Sequence, residues 1–268
     1  MSKKIGFIGC GNMGGAMLAG ILDSGKCAPE DILVSVSSEQ SAAAKKEKYG
    51  VTVLVDNCAV AAKSDILFLT VKPQYYEQVI GEIKGSVSDD AIIITVAPGK
   101  TLTWLSEQFG GSHKIIRTMP NTPSLVKEGM MGMCANEQVT EEEIALVRDI
   151  CGGFSRTELV AEHLMDVVTA VSGSSPAYVF MFIEAMADAA VWDGMPRAQA
   201  YKFAAQSVLG AAKMVLETGK HPGELKDAVC SPAGTTIAAV AALEKQNLRS
   251  TVMNAQHACT EKSKEMSK

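Results

Sequence analysis

Aromatic side chains are scarce in this chain: Phe, Tyr and Trp make up 5% of 268 residues. Surfaces that stack nucleic-acid bases, and clefts that grip sugar rings, depend on exposed rings, so both are disfavoured. Positive charge is also short. Lys and Arg number 25 against 30 Asp and Glu, a net charge of −5. Up to Glu162 the balance is 15 basic to 20 acidic residues, and beyond it 10 to 10. Neither part carries the basic surplus that nucleic acid or an anionic membrane would require. Only four histidines are present. The seven cysteines, at 10, 27, 58, 134, 151, 230 and 259, are odd in number and form no Cys-x-x-Cys pair. That argues against a disulfide framework and a zinc site, and for reduced thiols in a cytoplasmic protein without a metal.

Long uninterrupted apolar runs are missing as well. The uncharged stretch 5–22 follows Lys3-Lys4 much as a signal peptide would, but it contains six glycines. Glycine at that density cripples the apolar helix that a leader or anchor needs. A second stretch, 167–183, is interrupted by Ser172-Gly173-Ser174-Ser175-Pro176, which predicts a break there and no transmembrane span.

What is present divides into two textures. The first part alternates β-branched runs with helical stretches. Strands are predicted at 3–8, 32–36, 51–53, 65–71, 91–96 and 114–117, and helices at 12–24, 39–49, 57–63, 74–84 and 101–109. Continuous apolar strands separated by helices imply a parallel sheet covered on both faces, wound by right-handed crossovers. From Asp166 onward no strand is predicted. Helices are expected at 177–192, 197–218, 235–246 and 249–264, with ten alanines between 185 and 212 allowing close helix packing. Prolines 176, 196, 222 and 232 fall near the expected helix starts. The fold class is therefore α/β. A Rossmann-type doubly wound sheet over residues 1–162 is followed by an all-α domain over 163–268.

Four features carry chemistry. Gly9-Cys10-Gly11-Asn12-Met13-Gly14 is a G-x-G-x-x-G between a strand and a helix, the context that makes it a dinucleotide fingerprint. At the end of the second strand, where an NAD enzyme places an acid on the ribose, the chain has Ser35-Val36-Ser37-Ser38. Small hydroxyls without a carboxylate suit a 2′-phosphate, so NADPH is favoured, with NADH as the alternative. Lys45 and Lys46 are the nearest cations. Val71-Lys72-Pro73, Ala97-Pro98-Gly99 and Met119-Pro120-Asn121-Thr122-Pro123 close three successive strands and make a cleft floor at the strands' carboxyl ends. Last, Ser231-Pro232-Ala233-Gly234-Thr235-Thr236 opens a helix. Read physically, it is either a simple N-cap or a seat for a carboxylate.

Taken together, FIGCGNMG, LFLTVKPQ, IIRTMPNTP, VTAVSGSSPAYVF, LGAAKM and HPGELKDAVCSPAGTTI occur in order over nearly the whole chain. The sequence resembles the pyrroline-5-carboxylate reductases, and the Lys-Asp-x-Val-x-Ser-Pro-x-Gly-x-Thr stretch is the most specific match. The resemblance implies NAD(P)H-dependent reduction of L-1-pyrroline-5-carboxylate to L-proline, the last step of proline biosynthesis. It implies dinucleotide contacts from Ile8, Gly9, Cys10, Gly11, Asn12, Met13, Ser35, Ser37, Asn57, Val71, Lys72, Pro73 and Ala97. It puts Glu162, Ser231, Gly234, Thr235 and Thr236 at the substrate, with Thr236 the catalytic hydroxyl nearest the imine nitrogen. It also implies a homodimer through the helical domain, with a decamer as its larger assembly. Ala228, Ser175 and Ala233 depart from the family's usual Asn, Gly and Gly. Alanine and serine resist positive φ, so the last two could shift the local backbone.

Two other readings compete. A β-hydroxyacid dehydrogenase would need a catalytic lysine with a supporting Asn on a helix of the second part, where only Lys213 stands, in an Ala-Ala-Lys-Met setting. A non-catalytic dinucleotide sensor would bind the cofactor without consuming it.

Overall fold

The computed structural model describes residues 3–266. The described residues form two compact units: those up to Ser174 together with those from Cys259, and Ser175–Ala258.

The first unit holds eight strands and most of the shorter helices. In chain order these are β1 (Ile5–Ile8), α1 (Asn12–Asp23), β2 (Ile32–Ser35), α2 (Glu39–Tyr49), β3 (Thr52–Leu54), α3 (Asn57–Ala61), β4 (Ile66–Leu69), α4 (Tyr76–Ile83), β5 (Ile92–Thr95), α5 (Leu102–Phe109), β6 (Lys114–Met119), β7 (Gly129–Ala135), α6 (Glu141–Cys151), β8 (Ser155–Leu159) and α7 (Met165–Val168). The sheet order is β3-β2-β1-β4-β5-β6-β7-β8. Strands β1, β2, β4 and β5 are buried at every residue, as apolar strands covered on both faces must be. Side-chain alternation divides them between two cores. Phe7, Phe68, Ile92 and Ile94 pack with Met17, Leu18 and Ile21 of α1 and with Val147 of α6. Ile8, Leu67, Leu69 and Ile93 pack with Val60, Ile80 and Leu105 from α3, α4 and α5.

All six expected strands are present, but the sheet is larger and not wholly parallel. β7 pairs antiparallel with β6, and β8 then pairs parallel with β7. Strands β6 and β7 are joined without a helical crossover, which allows only the antiparallel arrangement. Neither β7 (GMMGMCA) nor β8 (SRTEL) has the β-branched density that marks a strand in sequence, so neither is predicted. Helix α6 is a further element beyond those expected, although Thr140 and Glu143 form a full capping box at its start.

One side chain holds the sheet where its strands diverge. Tyr76, fully buried, donates its hydroxyl proton to the Leu69 carbonyl at the end of β4 (2.6 Å). The same oxygen accepts the Val96 N–H just past β5 (3.1 Å). Burial pushes the phenol well above its ordinary range, so it stays neutral and keeps its donor. Tyr76→Phe would strand a carbonyl and an N–H. It should cost about 1–3 kcal/mol of stability, read as a lower urea midpoint; an unchanged midpoint would refute the bridging role.

The apolar stretch expected to break at 172–176 does not break. A helix runs from Glu162 to Trp192, 31 residues, long and apolar enough by composition to cross a membrane. Pro176 therefore lies inside a helix, not at its start. A π turn over Thr169–Ser174 precedes it and accommodates the ring. Ser175 takes no positive φ there, so its departure from glycine causes no strain.

The second unit contains α8 (Ser175–Trp192), α9 (Arg197–Thr218), α10 (Pro222–Val229), α11 (Thr235–Lys245) and the first part of α12 (Leu248–Met266). Helices α8 and α9 pack against each other, and the residues buried on them are Ala187, Ala200 and Ala204. Large apolar residues of both remain exposed, among them Phe180, Met181, Phe203 and Met214. Large apolar side chains exposed on two packed helices fit a protein interface.

Candidate active site

The glycine turn is built by β1 running into α1. Gly9 sits at φ +86°, where a side chain would be strained and would meet Val71 Cγ1 at 2.9 Å. A Cβ on Gly14 would meet the Thr70 hydroxyl at 2.5 Å, so the third glycine lets α1 close on β4. Thr70 Oγ1 donates to the Gly9 carbonyl (2.8 Å) and fixes the turn from beneath. Gly11 differs from both: a Cβ there would meet nothing within 4 Å. It faces open space at the N-cap of α1, with no capping side chain and no acid in the first helical turn. Helices α2, α3, α5 and α6 are capped by Ser38, Asp56, Thr101 and Thr140. Helix α4 also lacks a side-chain cap but carries Glu77 in its first turn, so of these six helices α1 alone keeps both its cap position and its first turn clear for an anion.

A cleft of about 740 Å³ opens on one side of this turn, lined by Gly9–Gly11, Val36, Ser37, Asn57, Val71 and Lys72. Ser41 and Lys45, one turn apart on α2, and Tyr75, Gln78 and Glu82 complete it. The lysine lines the cleft instead of only decorating a solvated helix face. Ser35 lies behind the wall, donating to Asn57 Oδ1 (2.6 Å), while Asn57 Nδ2 donates to Glu82 Oε2 (3.0 Å). That chain fixes which way the Asn57 amide points. Burial raises the Cys10 thiol, with Lys45 and Lys48 opposing, so the thiol in the loop stays protonated. Ile8, Ser35, Pro73 and Ala97 do not line the cleft. Ile8 and Ala97 are core, and Pro73 opens the short turn before α4. Sequence reasoning missed Thr70, Ser41 and the α4 set. The signal was there, since 75, 78 and 82 recur at helical spacing.

A second cleft, about 550 Å³, lies on the other side of the turn. Gly11, Asn12, Met13, Val71 and Lys72 form one wall; Val96, Met119–Thr122 and Gly173 form the other. The Met-Pro-Asn-Thr-Pro loop is thus cleft lining, as its strand-end position predicted.

Glu162 lines neither cleft. Its Oε1 accepts the Leu102 N–H at the start of α5 (2.6 Å) and a hydrogen bond from the buried Arg117 Nη1 (2.9 Å). The carboxylate neutralises a guanidinium and serves a helix N-terminus. Cys134, nearby, is pushed up to about 11, first by burial and then by the Glu162 charge.

Ser231–Thr236 lie in the second unit, in the turn from α10 to α11. Gly234 is the N-cap of α11 and donates its N–H to the Ser231 carbonyl (3.1 Å). Thr235 and Thr236 begin the helix, again with no capping side chain and no acid in the first turn. Ala233 adopts φ +56°, the conformation glycine would take without strain. A conformation that glycine takes freely is therefore held here by a strained alanine.

Residues 162–266 match the family model described as pyrroline-5-carboxylate reductase dimerisation, and residues 4–99 match that of coenzyme F420-dependent NADP oxidoreductases. The chain is 52% identical over 268 residues to a pyrroline-5-carboxylate reductase of Escherichia coli, covering all of both chains. Its fold is similar to that of a pyrroline-5-carboxylate reductase from Coxiella burnetii, at TM-score 0.94 and 36% identity over the whole of each chain. It is also similar to the Plasmodium falciparum pyrroline carboxylate reductase solved with NADP bound, at TM-score 0.89 and 33% identity, covering 100% of this chain and 99% of that one.

Proposed function

The chain belongs to the pyrroline-5-carboxylate reductase family, and from that membership we propose how its own residues reduce L-1-pyrroline-5-carboxylate to L-proline with NAD(P)H. It is a homo-oligomeric oxidoreductase acting on a cyclic C=N bond. One observation carries the site assignment: α1 and α11 are each preceded by a glycine N-cap and left without a side-chain cap. Each offers free N–H groups and a positive helix end to an anion. The dinucleotide pyrophosphate suits the first and the substrate carboxylate the second.

In this reading the first cleft takes the adenosine half, with Ser37, Ser41 and Lys45 meeting a 2′-phosphate. The second takes the nicotinamide half, since a dinucleotide lies across the sheet's switch point with its two halves on opposite sides of the glycine turn. When bound, the reduced nicotinamide supplies the hydride that the imine carbon accepts. The protein contributes orientation. The N–H groups of the 231–236 turn hold the carboxylate, and Thr236 Oγ hydrogen-bonds the ring nitrogen. A threonine hydroxyl is a weak acid, so its part is to hold the protonated imine in place and relay a proton through water. Ser231, Gly234 and Thr235 shape the same seat. Glu162 was expected to contact the substrate directly. The bonds it makes to Arg117 and Leu102 support an indirect part, holding α5 and β6 in register.

The decisive assay is NADPH oxidation with pyrroline-5-carboxylate, set against NADH with the same substrate and against hydroxyacids with NAD(P)+. Activity with a hydroxyacid alone would overturn the reading. Lys45→Ala tests the 2′-phosphate seat. KM for NADPH should rise about five- to tenfold, the loss of one charge-assisted contact of ~1–1.5 kcal/mol, while KM for NADH stays put. Equal changes for both cofactors would move the phosphate elsewhere. We further propose the homodimer as the unit of assembly and the cytoplasm as its setting. The exposed apolar faces of α8 and α9 support the first, and seven unbridged cysteines the second. Light scattering after size exclusion separates a dimer from a decamer.

A further inference from the structure

We propose that Asn121 is a positioning residue for hydride transfer, its side-chain amide tying the loop after β6 to the π turn and so fixing the shape of the second cleft. The proposal rests on the reading of that cleft as the nicotinamide end of the dinucleotide seat.

Asn121 is 8% exposed. Its Oδ1 accepts the Met130 N–H at the start of β7 (2.9 Å), and its Nδ2 donates to the Ser172 carbonyl (3.0 Å). The two bonds run in opposite senses, so the group must be acceptor on one side and donor on the other, which a carboxamide is and a carboxylate is not. The need for the donor comes from the sequence. In α register residue 176 would give its N–H to the carbonyl of residue 172, and Pro176 has none to give. The loop supplies what the proline withholds.

The consequence falls on the cleft. Asn121, its loop neighbours Met119, Pro120 and Thr122, and Gly173 next to Ser172 all line it. Gly173 packs so closely on Met119 that a Cβ would meet Met119 Cε at 2.6 Å. Loop and π turn thus form one wall, and the Asn121 amide is the polar tie between them. Each end of that amide makes a bond to the protein, and the influence proposed here passes through the wall those bonds hold. Hydride transfer depends steeply on the separation and angle of the reacting carbons.

Asn121→Asp keeps size and acceptor but turns an oxygen toward the Ser172 carbonyl. The single-turnover rate of NADPH oxidation and kcat should both fall about tenfold or more, with NADPH Kd within about twofold of wild type. A purely structural residue would lower Tm and leave the single-turnover rate alone; that result overturns the proposal. So does a rise in Kd that accounts for the whole loss. Pro176→Ala reaches the same tie without touching Asn121, because it gives Ser172 a rival donor. It should slow single turnover severalfold at unchanged Kd, and a wild-type rate in either folded variant overturns the proposal. Met119→Trp tests the underlying reading separately. Filling the second cleft should weaken NADPH but not 2′-phospho-ADP-ribose, which lacks the nicotinamide. If both bind as in wild type, the cleft assignment fails whatever the Asn121 variants show.

Discussion

Gly11→Val should leave the chain folded and raise the NADPH Kd about 100-fold, a loss of ~2.7 kcal/mol. The expectation depends on the difference between three neighbouring glycines. At Gly9 a side chain is strained by a positive φ, and at Gly14 it strikes Thr70, so substitutions there damage the fold along with the site. At Gly11 the backbone is at φ −75° and the space a side chain would fill is empty. That space is the seat proposed for the pyrophosphate. Valine is a poorer N-cap than glycine, which costs at most about 1 kcal/mol and lowers Tm by a few degrees (~2–4 °C) in a chain of this size. Kd from the quenching or enhancement of NADPH fluorescence, set beside the melting curve, separates the two effects. A variant that melts normally and binds NADPH within about threefold of wild type would show that the anion does not sit at α1.

Thr236→Ala should lower kcat about 100-fold, ~2.7 kcal/mol of barrier, and change the KM for pyrroline-5-carboxylate far less. The hydroxyl is proposed to meet the ring nitrogen, where protonation changes as the carbon is reduced. The carboxylate is proposed to be held by backbone N–H groups that the substitution leaves in place. Loss of the side chain therefore falls on the transition state more than on ground-state binding. Thr236→Ser, which keeps an Oγ on the same helix start, should recover most of the rate. If Thr236→Ala turns over within twofold of wild type, the assigned role is wrong. If KM rises as steeply as kcat falls, the hydroxyl is a binding group.

β1, β2, β4 and β5 were legible because each is a short apolar run between turn residues, and burial on both faces leaves no other way to spell such a strand. β7 and β8 were not, because methionine, glycine and polar residues can form strands only once neighbours supply the ladder and the core. The break expected at Ser172–Pro176 was wrong for a related reason. Local chemistry says proline ends a helix, yet a π turn and an amide from fifty residues away let this one continue. In the sites, residues that follow from a motif were readable: the glycine turn, Val71-Lys72 and the 119–123 loop. Ser41, Thr70, Tyr75, Gln78 and Glu82 carry no motif beyond the helical spacing of the last three, and become lining only when α2, β4 and α4 are in place. Glu162 was placed by family pattern, and its ties to Arg117 and Leu102 were invisible until β6 and α5 had positions.

Phe180, Met181, Phe203 and Met214 stay in water for as long as a chain is alone. In the proposed homodimer a second chain covers them, so the free energy of the native state includes the logarithm of how many chains are present. A tenfold dilution moves that balance by about 1.4 kcal/mol per dimer, as much as a damaging point substitution. Abundance is then a determinant of stability for this enzyme. In that assembly, lower synthesis leaves fewer chains and a smaller share of them paired.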